Sequence, residues 1–217
     1  SRLLGEKKDN EAKKTCAFCI WISLVFGLCI SAILLLFRTQ ILGLLGVGKD
    51  TYQYANAYYT WIAIGAVSII FSMVPSNILR TEGLAVQSMA GSIIGSIVNI
   101  IFDPIFIFGL NQGAAGAAMA TVLGNIIADI YYVYAVVKKS KRLTCSPSHM
   151  KVTGRRIRDI LMIGIPASIT NIMQTFMMVM TNNFLLTYGT DKVAAMGIAL
   201  KVNMITALVL VGFAFGG

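Results

Sequence analysis

Charge is scarce along this chain of 217 residues. Charged side chains make up 12% of the sequence, about half the share that is usual in a soluble globular domain. Hydrophobic side chains make up 57%, and the mean hydropathy is +0.76. This composition excludes an ordinary soluble domain and predicts an integral membrane protein.

Reactive and metal-binding side chains are also few. His149 is the only histidine, and the pair formed by Cys16 and Cys19 has neither a second cysteine pair nor a histidine close to it in the sequence. Zinc sites and redox centres need such partners, so neither is expected. The glycine-rich stretch 113–116 lacks the lysine of a phosphate-binding loop. Because no paired carboxylates and no activated nucleophile are recognisable, the sequence predicts neither an enzyme nor a cofactor.

Long apolar stretches dominate the sequence. A helix needs about 20 residues to cross a bilayer core of about 30 Å, and six stretches reach that length. They leave almost nothing for a soluble domain, so the predicted fold is an all-α, polytopic bundle of membrane helices. The chain lacks an initial methionine and stops within an apolar stretch, so we expect it to be a fragment. The six stretches are residues 16–37, 54–78, 84–108, 114–137, 160–187 and 193–217.

Positive charge is distributed unevenly between the ends of these stretches. Of the 18 lysine and arginine residues, fourteen lie in segment 1–15, at Arg80 or in loop 138–159, and only three lie in the alternate connections. By the positive-inside rule, residues 1–15 and 138–159 are predicted to be cytoplasmic, with membrane lipid as a secondary partner. Loop 138–159 also separates four apolar stretches from two, which makes it the predicted domain boundary.

Asp103 interrupts an otherwise uncharged apolar run that extends from 84 to 110. A carboxylate within a bilayer costs a few kcal/mol or more, so such a residue indicates a functional site by default. Counting back in fours from Asp103 gives Asn99, Gly95 and Gly91, which share one helix face. Small and polar residues on one face are typical of helix contacts, so this face is predicted to lie inside the bundle.

Thr121 of the next apolar stretch is predicted to lie at the same membrane depth as Asp103. With Asn99, these side chains offer a carboxylate, an amide oxygen and a hydroxyl, which are ligands that a small cation such as Na+ prefers. Pro104 has no N–H and so releases the carbonyl of Ile100 as a further oxygen. Two alternatives stay open: Asp103 binds a proton, or it is a neutral, hydrogen-bonded structural residue.

Several motifs carry a family resemblance. Segment 99–109 reads NIIFDPIFIFG, and Gly113, GAA at 116–118 and AT at 120–121 follow it. These residues resemble the fifth and sixth helices of the multidrug and toxic compound extrusion (MATE) transporters. Further motifs extend the resemblance over essentially the whole chain. They are SRLLG at 1–5, ILGLLG at 41–46, LRTEG at 79–83, Pro166, YGTD at 188–191 and AAMG at 194–197.

The resemblance implies a protein of twelve membrane helices in two six-helix lobes of the plasma membrane. Residues 1–137 would then be the third to sixth helices of the first lobe, 138–159 the cytoplasmic inter-lobe loop, and 160–217 the seventh helix and part of the eighth. Members of the family export organic, often cationic compounds in exchange for Na+ or H+. The implied partners are therefore such small molecules, and no cofactor is expected besides the coupling ion.

The resemblance also implies which residues bind that ion. One branch of the family uses an Asp of the fifth helix, an Asn one turn earlier and a Thr of the sixth helix. These match Asp103, Asn99 and Thr121, while an acid of the first helix that completes the site would lie outside this chain. Another branch has a cation-site Glu on the seventh helix, where this sequence has Gln174. The first lobe is therefore predicted to carry the coupling.

The remaining polar and sulfur-containing residues within the apolar stretches are secondary candidates. Lys201 lies near the membrane midplane, where it needs a carboxylate partner for a structural or a transport role. Asp129 is either a relay on the cytoplasmic half of its helix or the partner of a snorkelling lysine. Met177 suits a drug cavity or ordinary packing. Asn171 and Gln174 are candidates for the substrate pathway.

Two other classes of function remain open at this stage. A flippase of the same fold, which moves a lipid-linked substrate, would be expected to line its cavity with cations rather than with the carboxylate of Asp103. A membrane enzyme or a receptor would need a reactive cluster or a ligand-binding domain, and neither is recognisable. A multidrug antiporter is therefore the predicted function.

Overall fold

The computed structural model describes residues 9–44, 52–140 and 154–216 of the chain. These residues form helices joined by turns, and no strand occurs among them. The predicted all-α fold is confirmed. The helices are α1 (Asp9–Leu36), α2 (Arg38–Leu44), α3 (Tyr52–Thr81), α4 (Ala85–Pro104), α5 (Gly113–Lys138), α6 (Gly154–Leu186) and α7 (Thr190–Gly216).

Five helical segments of the described chain are long and apolar enough to cross a membrane, and α7 contains a shorter apolar stretch, Ala195–Leu210. Two helices begin earlier than the hydropathy predicted. α1 begins at Asp9 rather than at 16, and α6 begins at Gly154 rather than at 160. Their additional turns contain Lys and Arg, which favour helices in water, so charge ends an apolar stretch without ending the helix. The five segments are Asn10–Leu36, Tyr52–Thr81, Ala85–Gly109, Gly113–Lys138 and Ile157–Thr181.

The chain divides into two compact units, Ser1–Thr153 and Gly154–Gly217. In the first unit, α3 packs against α1, α4 and α5, and α4 packs along α5. In the second unit, α6 contacts α7. The predicted assignment of these parts to two transporter lobes stays a prediction. His149 and most of loop 138–159 lie outside the described residues.

Small residues allow α4 and α5 to approach each other closely. A Cβ atom added to Gly124 would lie 2.6 Å from the carbonyl oxygen of Gly95, and one added to Gly116 would lie 2.6 Å from the carbonyl carbon of Phe106. A Cβ atom does not approach a carbon or oxygen atom that closely, so this helix separation requires glycine at both positions. Farther along the interface, Gly91 leaves room for the ring of Tyr132. The prediction that the face with Gly91, Gly95 and Asn99 lies inside the bundle is confirmed.

The connection between α4 and α5 is tight and partly irregular. α4 ends at Pro104, and a π-helical turn (Ile105–Gly109) follows it. The N–H of Leu110 donates to the carbonyl of Ile105 at 2.9 Å. Asn111 and Gly113 both have a φ of 52°, in the left-handed region that Asn and Gly tolerate best. The chain therefore reverses within a few residues, and α5 returns antiparallel to α4.

Candidate cation site

Asn99 and Thr121 meet across the contact between α4 and α5. The Nδ2 atom of Asn99 donates to Oγ1 of Thr121 at 3.3 Å, and Oγ1 of Thr121 donates to the carbonyl of Ala117 at 2.9 Å. The contact between Gly95 and Gly124 lies one turn away on both helices and sets this distance. In this arrangement the amide oxygen of Asn99 and the hydroxyl oxygen of Thr121 are the atoms that can bind a cation.

Asp103 lies one helical turn beyond Asn99 and is half-buried. Its Oδ1 atom is buried and has no hydrogen-bond partner within the described ranges, so neither Asn99 nor Thr121 bonds to this atom. The structure thus joins two of the three predicted ligands and places the third one turn away. A buried carboxylate oxygen without a partner is unfavourable by about 1–3 kcal/mol or more, because it has lost its hydration. A cation or a proton at Oδ1 would relieve that cost.

Pro104 changes the hydrogen bonding of the backbone beside Asp103. Since proline has no N–H, the carbonyl of Ile100 lacks the partner that it would have in a regular helix. The N–H of Ile105 donates to the carbonyl of Phe102, three residues back, rather than to a residue four back. The α-helical ladder is therefore interrupted next to the acid, and the carbonyl of Ile100 is a further oxygen that can bind a cation.

A cavity of about 550 Å³ lies between α3, α4 and α5. Asn99, Ile100 and Thr121 belong to its wall, whereas Asp103 does not. Its volume would hold on the order of ten water molecules at about 30 Å³ each. Most of the lining side chains carry hydroxyl or amide groups, so the cavity suits water rather than lipid. The wall consists of Ser72, Ser92, Gly95, Ser96, Asn99, Ile100, Thr121, Gly124, Asn125, Ala128 and Tyr132.

The structure gives Asp129 a partner that the sequence did not reveal. The hydroxyl of Ser68, on α3, donates to Oδ2 of Asp129, on α5. The Oδ1 atom of Asp129 is buried and has no hydrogen-bond partner among the residues that the structure describes. Among the described residues, Asp129 is thus bound by a neighbouring hydroxyl, and its role as a relay or as the partner of a lysine stays a prediction. The spacing of Ser68 and Ser72, four residues apart on one face of α3, is the signal that could have indicated this polar face.

Hydroxyl groups also connect α3, α4 and α5 near the predicted cytoplasmic end of the unit. The hydroxyl of Tyr132 bonds to Oγ of Ser92 at 2.8 Å and donates to the carbonyl of Ser88 at 3.3 Å. Oγ of Ser88 lies 2.9 Å from Oγ of Ser76 and accepts from Nε of Arg80 at 3.0 Å. Ser92 and Tyr132 of this network belong to the cavity wall, at the end of α5's contribution that lies farthest from Thr121.

The candidate residues of the second unit have few contacts with one another. The Nδ2 atom of Asn171 donates to the carbonyl of Ala167 in its own helix at 2.9 Å. Gln174, Met177 and Lys201 are exposed within this unit. Their roles in substrate binding stay predictions. Over both units, the described residues contain no group of three or more His, Cys, Asp or Glu side chains that could hold a metal ion.

Comparisons with known proteins agree on one family. Residues 1–105 match the MatE family. The multidrug export protein MepA of Staphylococcus haemolyticus is 32% identical over 216 residues, which cover 100% of this chain and 48% of that protein. MepA of Staphylococcus aureus is 29% identical with the same coverage. The chain thus spans about half the length of the curated relatives that it matches.

Solved structures show the same similarity. An inward-facing multidrug resistance MATE transporter of the MOP superfamily superimposes with a TM-score of 0.87 at 27% identity, over 98% of this chain and 49% of that one. A MOP superfamily transporter from Pyrococcus furiosus, described as having a binding pocket of reverse polarity, superimposes with a TM-score of 0.90 at 27% identity. That match covers 99% of this chain and 48% of the other.

Proposed function

Because this chain belongs to the MatE family, we propose that the protein of which it forms part is a secondary active antiporter that exports organic, often cationic compounds in exchange for Na+ or H+. The chain is an integral, multi-pass protein of the plasma membrane, with five membrane-length helices among the described residues. The names of its relatives support multidrug export. No cofactor besides the coupling ion is proposed.

The observation that carries this proposal is the buried Oδ1 atom of Asp103, which has no hydrogen-bond partner among the described residues, beside the hydrogen-bonded pair of Asn99 and Thr121. Coupling requires an ion that binds one conformation of the transporter better than another. These residues come from two helices that touch through glycine backbone, so a small movement of α4 against α5 changes the distances between them. A cation bound there would therefore favour one arrangement of the two helices.

The oxygen atoms near Asp103 suit either coupling ion. Na+, as the transported ion, would be bound by the carboxylate of Asp103, the amide oxygen of Asn99, the hydroxyl of Thr121 and the carbonyl of Ile100. A proton needs only the carboxylate. The family resemblance also leads us to expect an acid from a first helix at this site. In both cases the charge of Asp103 is the essential contribution.

Replacing Asp103 with Asn tests the proposal, since it removes the charge at nearly constant volume. We expect drug efflux by the full-length protein in membrane vesicles to lose its dependence on an imposed Na+ or H+ gradient. The matched control is Asp159→Asn, the same change at an exposed residue near the start of α6. Gradient dependence that persists in Asp103→Asn would contradict the assignment.

The neighbours of Asp103 distinguish the two ions in the same assay. Asn99→Ala and Thr121→Ala each remove a polar partner worth about 1–3 kcal/mol, which corresponds to roughly 5- to 150-fold in affinity. With Na+ as the coupling ion, its apparent affinity should fall while the rate at saturating Na+ survives. With H+, the pH midpoint of efflux should move instead. Two variants unchanged in both series would leave Asp103 acting without these partners.

A further inference from the structure

Asp129 is a second carboxylate within the membrane-spanning part of the first unit, and the proposed exchange at Asp103 does not use it. It lies in α5, which crosses the membrane from Gly113 to Lys138. A carboxylate at such a position is costly unless it is paired, hydrogen-bonded or protonated. The structure describes one hydrogen bond to it, from the hydroxyl of Ser68 to Oδ2. Its Oδ1 atom is buried, with no partner within the described part of the chain.

Asp129 and Asp103 lie toward opposite ends of the polar cavity. The cavity wall extends along α5 from Thr121 to Tyr132, about 16 Å at 1.5 Å per residue. Asp103 is one turn beyond Asn99 at the first end. At the other end, Asp129 follows Ala128 of the wall directly, and its partner Ser68 is one turn from Ser72 of the wall on α3. The two acids are thus separated by a space that suits water.

The partners of Asp129 favour a proton over a metal cation. A Na+ site needs several oxygen ligands that point inward, whereas the hydroxyl of Ser68 donates its hydrogen to the carboxylate. In the described part of the chain, α3 and α4 offer no counter-charge near Asp129. The only charged residue of α3 is Arg80, which is twelve residues, about 18 Å, beyond Ser68, and the only one of α4 is Asp103. On α5 itself, Lys138 is nine residues, about 14 Å, beyond Asp129. The other titratable groups on these helices are the phenols of Tyr52, Tyr54, Tyr58 and Tyr59 on α3, and of Tyr131, Tyr132 and Tyr134 on α5.

We propose that Asp129 is a proton-binding site of the first unit, separate from Asp103, which exchanges its proton with water in the cavity between α3, α4 and α5. The proton is transferred from a hydronium ion to Oδ1 of Asp129, so that one O–H bond breaks in the ion and one forms on the carboxyl group, and it returns by the reverse step. The place of this site in a transport cycle rests on the proposed antiport, but proton binding itself does not.

Infrared difference spectroscopy tests the site without any transport step. The full-length protein in lipid membranes is taken from alkaline to mildly acidic pH, and the carbonyl band of protonated carboxyl groups is recorded. We expect Asp129→Asn to lose one titrating band that Asp103→Asn retains. Ser68→Ala should move that band to higher frequency, because the carboxyl group loses a hydrogen bond. The matched control Ser72→Ala, whose hydroxyl donates to the carbonyl of Ile69 at 3.0 Å, should leave the band in place.

The outcomes separate this proposal from the proposed antiport. A spectrum of Asp129→Asn that equals the wild-type spectrum overturns the proton site. If Asp129→Asn does not fold, an unchanged band frequency in Ser68→Ala overturns it instead. Failure of the antiport appears in a different measurement, the loss of gradient-dependent efflux in the wild-type protein. A titrating Asp129 band in a protein without such efflux would support the proton site and refute the antiport.

Discussion

The closest approach of α4 and α5 provides a quantitative test of the cation site through Gly124→Ala. The added Cβ atom would lie 2.6 Å from the carbonyl oxygen of Gly95 and 3.4 Å from Cβ of Asn99. The obstructing atom is backbone, so no side-chain rotation relieves the contact. The two helices must therefore separate by about 0.4 to 0.8 Å to restore ordinary packing distances.

This separation affects folding and ion binding by similar amounts. Overpacking costs about 1–3 kcal/mol, but alanine in a helix is about 1 kcal/mol better than glycine, which leaves a net loss of about 0–2 kcal/mol. The hydrogen bond between Asn99 and Thr121, 3.3 Å long, would lengthen to about 3.7–4.1 Å and break. Loss of such a bond is worth about 0.5–1.5 kcal/mol, which predicts a coupling-ion affinity that is roughly two- to twelvefold weaker.

Two measurements on the full-length protein test this prediction. Thermal unfolding in lipid or detergent reports stability, and the Na+ or pH dependence of efflux reports ion affinity. The matched control is Gly43→Ala, because a Cβ atom at that helical glycine would meet nothing within 4 Å. It should change neither the ion affinity nor the maximal efflux rate. If Gly124→Ala binds the ion as tightly as Gly43→Ala does, the geometry of Asn99 and Thr121 does not determine affinity and the reasoning is refuted.

Two further predictions concern the α4–α5 contact and the topology. Tyr132→Phe removes the hydroxyl that bonds to Ser92 and Ser88, so it should lower the unfolding free energy by about 0.6–1.5 kcal/mol. The control Tyr134→Phe, at an exposed tyrosine, should lower it little. Equal effects of the two changes would argue against the hydroxyl network. In a cysteine-free background, a cysteine at Lys139, on the predicted cytoplasmic side, should not be labelled by an impermeant thiol reagent on intact cells, whereas a cysteine at Gln112, on the other side, should be labelled. The reverse labelling pattern would invert the predicted topology.

Much of the first unit could be predicted from residue order alone. The apolar stretches predicted the helices, because about 20 apolar residues can satisfy their backbone in a bilayer only by forming a helix or a closed barrel. The antiparallel approach of α4 and α5 was also accessible, because helices joined by a short turn must be antiparallel. Counting residues from that turn placed Thr121 at the depth of Asp103, whereas the structure bonds Thr121 to Asn99, one turn away. The small-residue faces then indicated which sides of α4 and α5 meet.

The tertiary structure decided what α3 contributes. Its apolar residues surround the whole helix, so the spacing of Ser68 and Ser72 indicated a shared face but not that this face meets α5. The rotation and register of α3 against α5 result from packing between helices that are distant in the sequence. That packing selected Ser68 as the partner of Asp129, where the sequence left a relay or a snorkelling lysine open. It also enclosed the polar cavity, because no single helix contains the groups that surround it.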